Sequence, residues 1–96
     1  MTPAFEWDDS KAESNLQKHW VPFEEAATIF ADPFAAIFSD PDHSEEEIRE
    51  IVVGISERNR LLVVSFTERN EVVRIISARK ATKRERRMHE DNPMGT

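Results

Sequence analysis

The sequence predicts an α+β fold: two N-terminal helices packed on a small antiparallel sheet of three to five strands, followed by a C-terminal helix. Two observations predict it. Apolar residues repeat at helical spacing up to about residue 34 and then form short β-branched runs, and a helix cap near residue 82 opens a final polar segment. Because 96 residues can build only one core, we expect a single domain over residues 1–91 and a frayed tail over residues 92–96.

Two helices are predicted in the first third of the chain. Ser10 and Glu13 form a capping-box pattern that starts a helix over residues 11–19. Its apolar side is narrow, so we expect it on the surface. Pro22 suits the first turn of a second helix, whose apolar stripe over residues 23–30 repeats at i, i+3, i+4 and i+7.

Extended structure is predicted for the middle of the chain. β-branched and apolar residues fill segments 35–39, 51–55, 61–67 and 72–78, and residues 5–7 can add an edge strand. A tight connection over residues 68–71 joins the last two segments into a hairpin with Thr67 opposite Val72. One face of this hairpin is then apolar and forms the core: it carries Leu62, Val64, Phe66, Val73 and Ile75.

The other face of the hairpin mixes apolar residues with Ser65, Thr67 and Arg74. A charge in the middle of a strand is costly unless it is paired or exposed. We therefore expect this second face to be exposed to solvent or to bind a ligand.

The last helix is predicted to begin at Thr82, which forms a second capping box with Glu85, and to run to about Glu90. Lys83 and Arg84 fall in its first turn, where a positive charge opposes the helix macrodipole by about 0.3–1 kcal/mol. Backbone N–H groups and two cations at that point suit a phosphate. A basic helix that is merely solvated is the alternative interpretation.

Charge is distributed unevenly along the chain. The net charge of −6 argues at first against a nucleic-acid protein, but residues 1–50 hold three cations and thirteen acids, whereas residues 51–96 hold ten cations and six acids. Residues 74–87 alone carry seven cations and one acid. This asymmetry favours an anion-binding surface in the second half of the chain.

Several classes of protein are excluded by composition. The chain has no Cys, so disulfides, thiolate zinc sites and thiol nucleophiles are absent and a reducing compartment is expected. The acidic N-terminus does not resemble a secretion signal and the apolar runs are too short to cross a bilayer, which predicts a cytoplasmic protein without a membrane partner. The run of Asp40, Asp42, His43 and Glu45 is interpreted as a solvated loop, so no metal site is predicted.

The longest motifs lie at the two ends of the chain. Residues 5–19 read F-x-W-D-x-x-K-x-x-x-N-L-x-K-H, and residues 74–82 read R-I-I-S-A-R-K-A-T. Shorter blocks between them are F-E-E-A at 23–26, D-P-D-H-S at 40–44, R-L-L-V-V at 60–64 and T-E-R at 67–69. In this order the blocks resemble the BrnT family of type II toxin–antitoxin ribonucleases over nearly the whole chain.

The resemblance implies a RelE-like fold and a growth-arresting toxin that cleaves RNA without a metal or other cofactor. It also implies a cognate ribbon-helix-helix antitoxin, similar to BrnA, that is encoded beside the toxin and masks it. Operator DNA would then be reached only through the antitoxin.

The chain departs from the family pattern at four positions. Trp20 stands where the family usually has Gly, Pro22 replaces a frequent Ser cap, Phe66 occupies a strand position that is often His or Tyr, and His89 stands where Tyr is common. The departures at Phe66 and His89 matter for the chemistry, because a His or Tyr can act as a general acid or base. They support the alternative that the chain is a catalytically weak or inactive interaction and co-repressor module that binds the antitoxin.

Cleavage of RNA without a metal requires cations around the phosphate and groups that transfer protons. We expect Arg79 and Arg84 to clamp the phosphate, with Arg74 and Lys83 assisting. Further phosphate contacts are expected from Lys80 and Arg87. The residues predicted to transfer protons are Glu68, Glu71 and His19; the alternatives are solvated turn residues for the two Glu and a helix cap or packing role for His19. Nucleic-acid binding without cleavage is a further alternative.

Overall fold

The computed structural model describes residues 4–40 and 48–91, and it has the predicted α+β architecture of two helices, a sheet and a C-terminal helix. The predicted tail at residues 92–96 and the loop residues Asp42, His43 and Glu45 lie outside the described residues. The elements are β1 (Ala4–Glu6), α1 (Asp9–His19), α2 (Phe23–Thr28) with a turn of 3-10 helix (Ile29–Ala31), β2 (Ala36–Ser39), β3 (Glu50–Ile55), β4 (Leu61–Arg69), β5 (Val72–Lys80) and α3 (Lys83–Asp91).

The sheet has five strands in the order β1-β5-β4-β3-β2. The consecutive strands β2 to β5 are antiparallel, as predicted, whereas the short edge strand β1 joins β5 in parallel. Pairing of the N-terminal strand with β5 places Glu6 beside Arg74, although 68 residues separate them in the chain.

The predicted register of the β4–β5 hairpin is wrong. Thr67 lies opposite Arg74 and not opposite Val72, because the connection is only two residues long. Asn70 and Glu71 form it, with φ of 54° and 66°. Two central residues with positive φ match the right-handed twist of the flanking strands, as in a type I′ turn, so both strands extend further than their propensities predicted.

A bulge in β5 shifts the register by one further residue. Ser65 lies opposite Ser77 and Phe66 opposite Ile75, which leaves Ile76 as an extra residue in β5. The bulge keeps the apolar residues of both strands on the face that the helices cover.

The core lies between the helices and one face of the sheet. The predicted apolar face of the hairpin is confirmed, since all five of its residues are buried there together with residues of α2 and β3. The ring of Phe30 packs edge-to-face against Phe5 at 5.3 Å and against Phe66 at 5.0 Å. Phe66 therefore fills the core, and its replacement of a His or Tyr does not alter the open face of the sheet.

The ends of α1 differ from the prediction. Its N-cap is Asp8 and not Ser10: the Asp8 carboxylate accepts hydrogen bonds from the Lys11 N–H at 3.0 Å and from Ser10 Oγ at 2.6 Å. A carboxylate caps the N-terminus well because it also complements the helix macrodipole. At the other end, Trp20 adopts the left-handed conformation, with φ of 61°, that the usual Gly would adopt without strain.

Two buried polar groups fasten the helices to the sheet. The Asn15 amide donates to the carbonyl oxygens of Val21 at 3.1 Å and Ala78 at 2.8 Å and accepts the Ala78 N–H at 3.1 Å. In α2, the buried Glu25 carboxylate accepts from Ser56 Oγ at 2.6 Å and forms a two-point ion pair with Arg60. Asn15, Glu25 and Arg60, which lie in the sequence blocks quoted above, therefore serve the fold.

Among residues 4–40 and 48–91, none of the helices has the length and apolar character needed to span a bilayer.

Candidate nucleic-acid interface

On the face of the sheet opposite the helices, Val63 and Thr67 of β4 are only 7% and 5% exposed, and Thr67 Oγ1 donates to the Ile48 carbonyl oxygen at 2.8 Å. With residues of β5 they belong to a strip of mixed polarity along the two strands. Three cross-strand pairs form it: Thr67 with Arg74, Ser65 with Ser77, and Val63 with Arg79. Because side chains alternate along a strand, the first residues of these pairs share one face of β4, and their partners share that face of β5. Arg74 and Arg79 thus lie on the same open face, about 15 Å apart at roughly 3.3 Å per residue.

At one end of the strip, Arg79 forms a two-point ion pair with Glu85 of α3. Its Nη1 and Nη2 donate to the two carboxylate oxygens of Glu85 at 2.7 and 2.9 Å. These hydrogen bonds raise the pKa of Arg79 and lower the pKa of Glu85 to about 2. Glu85 is therefore fully ionised at neutral pH, and the guanidinium plane of Arg79 is fixed.

Glu85 also caps the helix in which it lies. Its Oε1 accepts the Thr82 N–H at 2.9 Å, and its own N–H donates to Thr82 Oγ1 at 3.1 Å, which confirms the predicted capping box. One carboxylate thus holds the end of β5 against the start of α3. Lys83 and Arg84, the first two residues of α3, are exposed at this junction.

We call Arg79, Lys83 and Arg84 the Arg79 cluster. The backbone N–H groups of Lys83 and Arg84 belong to the first turn of α3 and have no acceptor within the helix. Two cationic side chains, a fixed guanidinium and two N–H groups together suit the oxygens of a phosphate. The sequence predicts these three residues as one phosphate site, and this stays a prediction.

His89 of α3 was not among the predicted site residues. It follows Glu85 by four residues in α3, so the two side chains lie on one side of the helix, and His89 is half-buried. The i, i+4 spacing from Glu85 is the signal in the sequence that could have identified it.

The other end of the strip contains a shallow open cavity of about 330 Å³. Within it, Arg74 Nη1 donates to Glu6 Oε2 at 2.6 Å. We call this feature the Arg74 cavity; its lining residues are Glu6, Thr67, Arg69, Asn70, Val72 and Arg74. Sequence reasoning missed Glu6 and Arg69, because their positions depend on the parallel β1–β5 pairing and on the two-residue turn.

The other predicted phosphate contacts lie on two different surfaces. Arg87 is exposed one turn after Lys83 on α3 and extends the surface of the Arg79 cluster. Lys80 lies opposite Leu62, a core residue, so its side chain leaves β5 on the face that the helices cover.

The three residues predicted to transfer protons do not share the open face with the Arg79 cluster. Glu68 lies opposite Val73 and so belongs to the helix-covered face. Glu71 lies in the hairpin turn, at the far end of β5 from Arg79. His19 ends α1, which packs against β5 from the helix side.

Within the described parts of the chain, no three or more His, Asp or Glu side chains are grouped as metal ligands would be.

Comparisons with a family model and with solved structures both found similar proteins. The chain matches, over residues 7–85, the family model described as the ribonuclease toxin BrnT of type II toxin–antitoxin systems. Among solved structures, the crystal structure of the ribonuclease toxin BrnT from Brucella abortus is similar at 22% sequence identity and a TM-score of 0.65, covering 85% of this chain and 100% of that chain. At this identity the likeness shows a common fold. No curated relative matches at a significant level.

Proposed function

The chain belongs to the BrnT family of type II toxin–antitoxin ribonuclease toxins, and from this membership we propose that it is an endoribonuclease that cleaves RNA without a metal. In this reaction the ribose 2′-hydroxyl attacks the adjacent phosphorus and the bond to the 5′-oxygen of the next nucleotide breaks. The observation that supports the proposal is the junction of β5 and α3, where Glu85 fixes the guanidinium of Arg79 and two further cations, Lys83 and Arg84, occupy the first turn of the helix.

Arg79 can hold Glu85 and a phosphate at the same time. A guanidinium has five N–H donors, and the two-point contact with Glu85 uses one on each Nη atom. Nη1 also donates to the Lys80 carbonyl oxygen at 3.3 Å, so Nε–H and the second N–H of Nη2 remain for a phosphate. Because Glu85 has already fixed the guanidinium plane, the donors need little reorganisation as negative charge develops on the phosphate oxygens.

His89 is the group that we propose to exchange protons with the RNA. Histidine is the most frequent general acid or base, and the i, i+4 spacing puts His89 on the same side of α3 as Glu85. Glu85 itself is a weak base, since its pKa is about 2, so its proposed role is to position Arg79. The roles predicted for Glu68, Glu71 and His19 have less support, because these residues lie away from the cluster.

We further propose that the chain acts in the cytoplasm and is neutralised by a cognate ribbon-helix-helix antitoxin similar to BrnA. The antitoxin would contact operator DNA, and the toxin would reach that DNA only through it. The exposed cations at the start of α3 support this part of the proposal, because a partner can cover them without entering a cleft.

A second function is favoured by one observation. Glu85 already neutralises Arg79, which suits a chain that has kept its antitoxin interface and has lost catalysis. Such a chain would act as an interaction and co-repressor module.

Purified, antitoxin-free chain incubated with RNA in EDTA tests the proposal. We expect fragments that end in a 2′,3′-cyclic phosphate, as attack by the 2′-hydroxyl requires. Arg79→Ala should lower the rate roughly 10²- to 10³-fold, as loss of a transition-state donor typically does. Lys18→Ala, an exposed cation on the helix side, is the control and should keep the wild-type rate.

Three results would decide against the proposal. Intact RNA with a folded wild-type chain would refute cleavage, and an equal loss in Lys18→Ala would remove Arg79 from the site. Loss of all activity in EDTA, restored by a divalent metal, would refute the metal-free mechanism. The co-repressor alternative predicts no cleavage and no growth arrest on induction.

A further inference from the structure

Trp20 occupies a position that favours neither its backbone nor its side chain. Its φ of 61° is unfavourable for any residue with a Cβ, and its indole is 74% exposed. It is not part of the core that the described residues form. Packing and backbone preference therefore do not account for a Trp at the end of α1. A large exposed aromatic side chain is typical of a contact surface.

Two sets of hydrogen bonds hold Trp20 at the end of the sheet where β5 finishes. The Trp20 carbonyl oxygen accepts from Nη2 of Arg60, the residue before β4, at 3.1 Å. The Asn15 amide donates to the carbonyl oxygens of Val21 at 3.1 Å and Ala78 at 2.8 Å. Since Val21 follows Trp20 directly, the backbone of Trp20 lies beside the last residues of β5.

Lys80 leaves β5 at this same end of the sheet. It lies opposite Leu62, and alternation puts its side chain on the same face as that of Ala78, towards the end of α1. The side chain is exposed, and among residues 4–40 and 48–91 no carboxylate forms an ion pair with it. Its ammonium group is therefore available to a ligand. We call Trp20 and Lys80 the Trp20 patch.

The Trp20 patch adjoins the Arg79 cluster around the end of the sheet. Arg79 and Lys80 are consecutive residues of β5, so their side chains point to opposite faces. The strand finishes there, and the Ala81 N–H donates to the Leu61 carbonyl oxygen at 2.9 Å. A flexible single strand bound at Arg79 can pass this end and reach Lys80 and the indole of Trp20.

The chemistry of the patch suits one nucleotide of a single strand. Every base has a flat face that can stack on an indole, and the ammonium group of Lys80 complements a phosphate. A base in a duplex is already stacked and does not offer that face. A basic protein segment suits the patch less well, because Lys80 repels it.

We infer that the Trp20 patch is a second RNA subsite, in which the indole stacks on a base of the strand bound at the Arg79 cluster and Lys80 contacts a phosphate of that strand. The choice of RNA as the ligand rests on the proposed function. Stacking on an indole tolerates any base, so the patch adds affinity for single strands and little preference for sequence.

Quenching of tryptophan fluorescence by uncleavable RNA tests the inference. The chain has two Trp residues, and Trp7 packs against Phe23 at the core, with ring centroids 5.9 Å apart. Trp20 is therefore the exposed indole. A single-stranded 2′-O-methyl oligonucleotide of ten nucleotides is titrated against the wild-type chain. We expect it to quench the emission, and the same oligonucleotide in a duplex to quench it far less.

Variants measured by fluorescence anisotropy of a labelled oligonucleotide give the two contributions. Trp20→Ala should weaken binding about 5- to 150-fold, as loss of one stacked base does, and Trp20→Phe, which keeps a ring, should lose less. Lys80→Ala should lower the salt dependence of binding by about one phosphate contact. Lys11→Ala, an exposed cation in the first turn of α1, is the charge-matched control and should bind as the wild-type chain does.

The inference is overturned if Trp20→Ala binds the single strand as tightly as the wild-type chain, which would exclude RNA as the ligand of the indole. It is also overturned if Lys80→Ala loses no more than Lys11→Ala. Because this RNA cannot be cleaved, failure of the subsite is distinguishable from failure of the proposed function. A chain that cleaves RNA but binds it independently of Trp20 refutes the subsite alone. A chain that binds through Trp20 but leaves ordinary RNA intact supports the subsite and refutes the activity.

Discussion

Glu85 receives two parallel hydrogen bonds from the guanidinium of Arg79, at 2.7 and 2.9 Å, and accepts the backbone N–H of Thr82 with the same carboxylate. The last residues of β5 and the first turn of α3 are thereby fixed relative to each other. A helix whose first residues are cations is unfavourable by itself, because their charge opposes the macrodipole. Glu85 offsets part of that cost and at the same time orients the guanidinium that we propose to hold the phosphate.

Glu85→Gln is expected to lower the free energy of unfolding by about 1 kcal/mol at neutral pH, since it weakens a helix cap and removes an ion pair. The carboxyl pKa is about 2 in the folded chain, against an ordinary value of 4.5. A depressed pKa stabilises the fold above the ordinary value, and this stabilisation is lost as the pH falls towards 2.

Urea unfolding of the wild-type chain and Glu85→Gln between pH 7 and pH 2 measures this difference. The difference in free energy of unfolding between the two chains should be constant above about pH 5 and should disappear between pH 4.5 and 2. Glu90→Gln, an exposed carboxylate near the end of α3, is the control and should show no such closing gap. A gap that persists at pH 2 would mean that Glu85 acts through packing.

Arg60→Ala is expected to destabilise the chain by about 3 kcal/mol, because it leaves the carboxylate of Glu25 buried without its cation. Glu25 is only 2% exposed, and Arg60 also donates to the Trp20 carbonyl at 3.1 Å. Arg58→Ala, at an exposed position in the same turn, should change the free energy of unfolding by no more than about 0.5 kcal/mol. Chemical denaturation of both variants at pH 7 checks the prediction. Equal losses would contradict it.

Arg60→Lys distinguishes charge from geometry at the same position. Lys keeps the positive charge but cannot form the two-point contact with Glu25. We therefore expect a loss of stability between those of the wild-type chain and Arg60→Ala. Full recovery by Lys would show that charge alone is needed.

The fold was predicted correctly where the sequence signal lies within a single strand or helix. Alternation along β4 identified its buried face, and the capping box at Thr82 identified the start of α3, because both signals lie within a few residues. Glu25 could not be recognised as buried, since a Glu in an amphipathic helix is normally solvated and its partner Arg60 is 35 residues away.

The residues of the site were likewise predictable only where they are neighbours in the chain. Arg79, Lys83 and Arg84 are near one another in the chain, and the ion pair between Arg79 and Glu85 joins the strand and the helix that carry them. Glu6 and Arg69 join Arg74 only through strand pairing and the exact residue at which the hairpin turns, and neither residue type nor spacing specifies these.

Trp20→Gly is expected to raise the free energy of unfolding by about 1 kcal/mol, because Trp20 holds a φ of 61° that is unfavourable for any residue with a Cβ. The side chain is 74% exposed, so its removal uncovers little apolar surface. Trp20→Ala is the matched control: Ala keeps the unfavourable φ and should show no gain. Denaturation followed by circular dichroism measures both, and an equal gain in Trp20→Ala would attribute the effect to loss of the indole.

Glu71→Gly is expected to stabilise the chain by about 0.5–1 kcal/mol. Glu71 is the second residue of the hairpin turn, with a φ of 66°, and Asn-Gly is the dipeptide that type I′ turns prefer. Asn70→Gly is the control. Asn adopts positive φ at little cost, so that variant should gain no more than a few tenths of a kcal/mol.

The same Glu71→Gly variant tests the proton-transfer role that the sequence suggested for Glu71. Loss of a general acid or base lowers a rate about 10²- to 10⁴-fold. We expect no loss of that size, because Glu71 lies in the turn at the far end of β5 from Arg79. Thermal unfolding and RNA cleavage of the two variants are measured side by side. A stabilised chain with a cleavage rate reduced by that factor would return Glu71 to the active site and would require the scissile phosphate to bind in the Arg74 cavity.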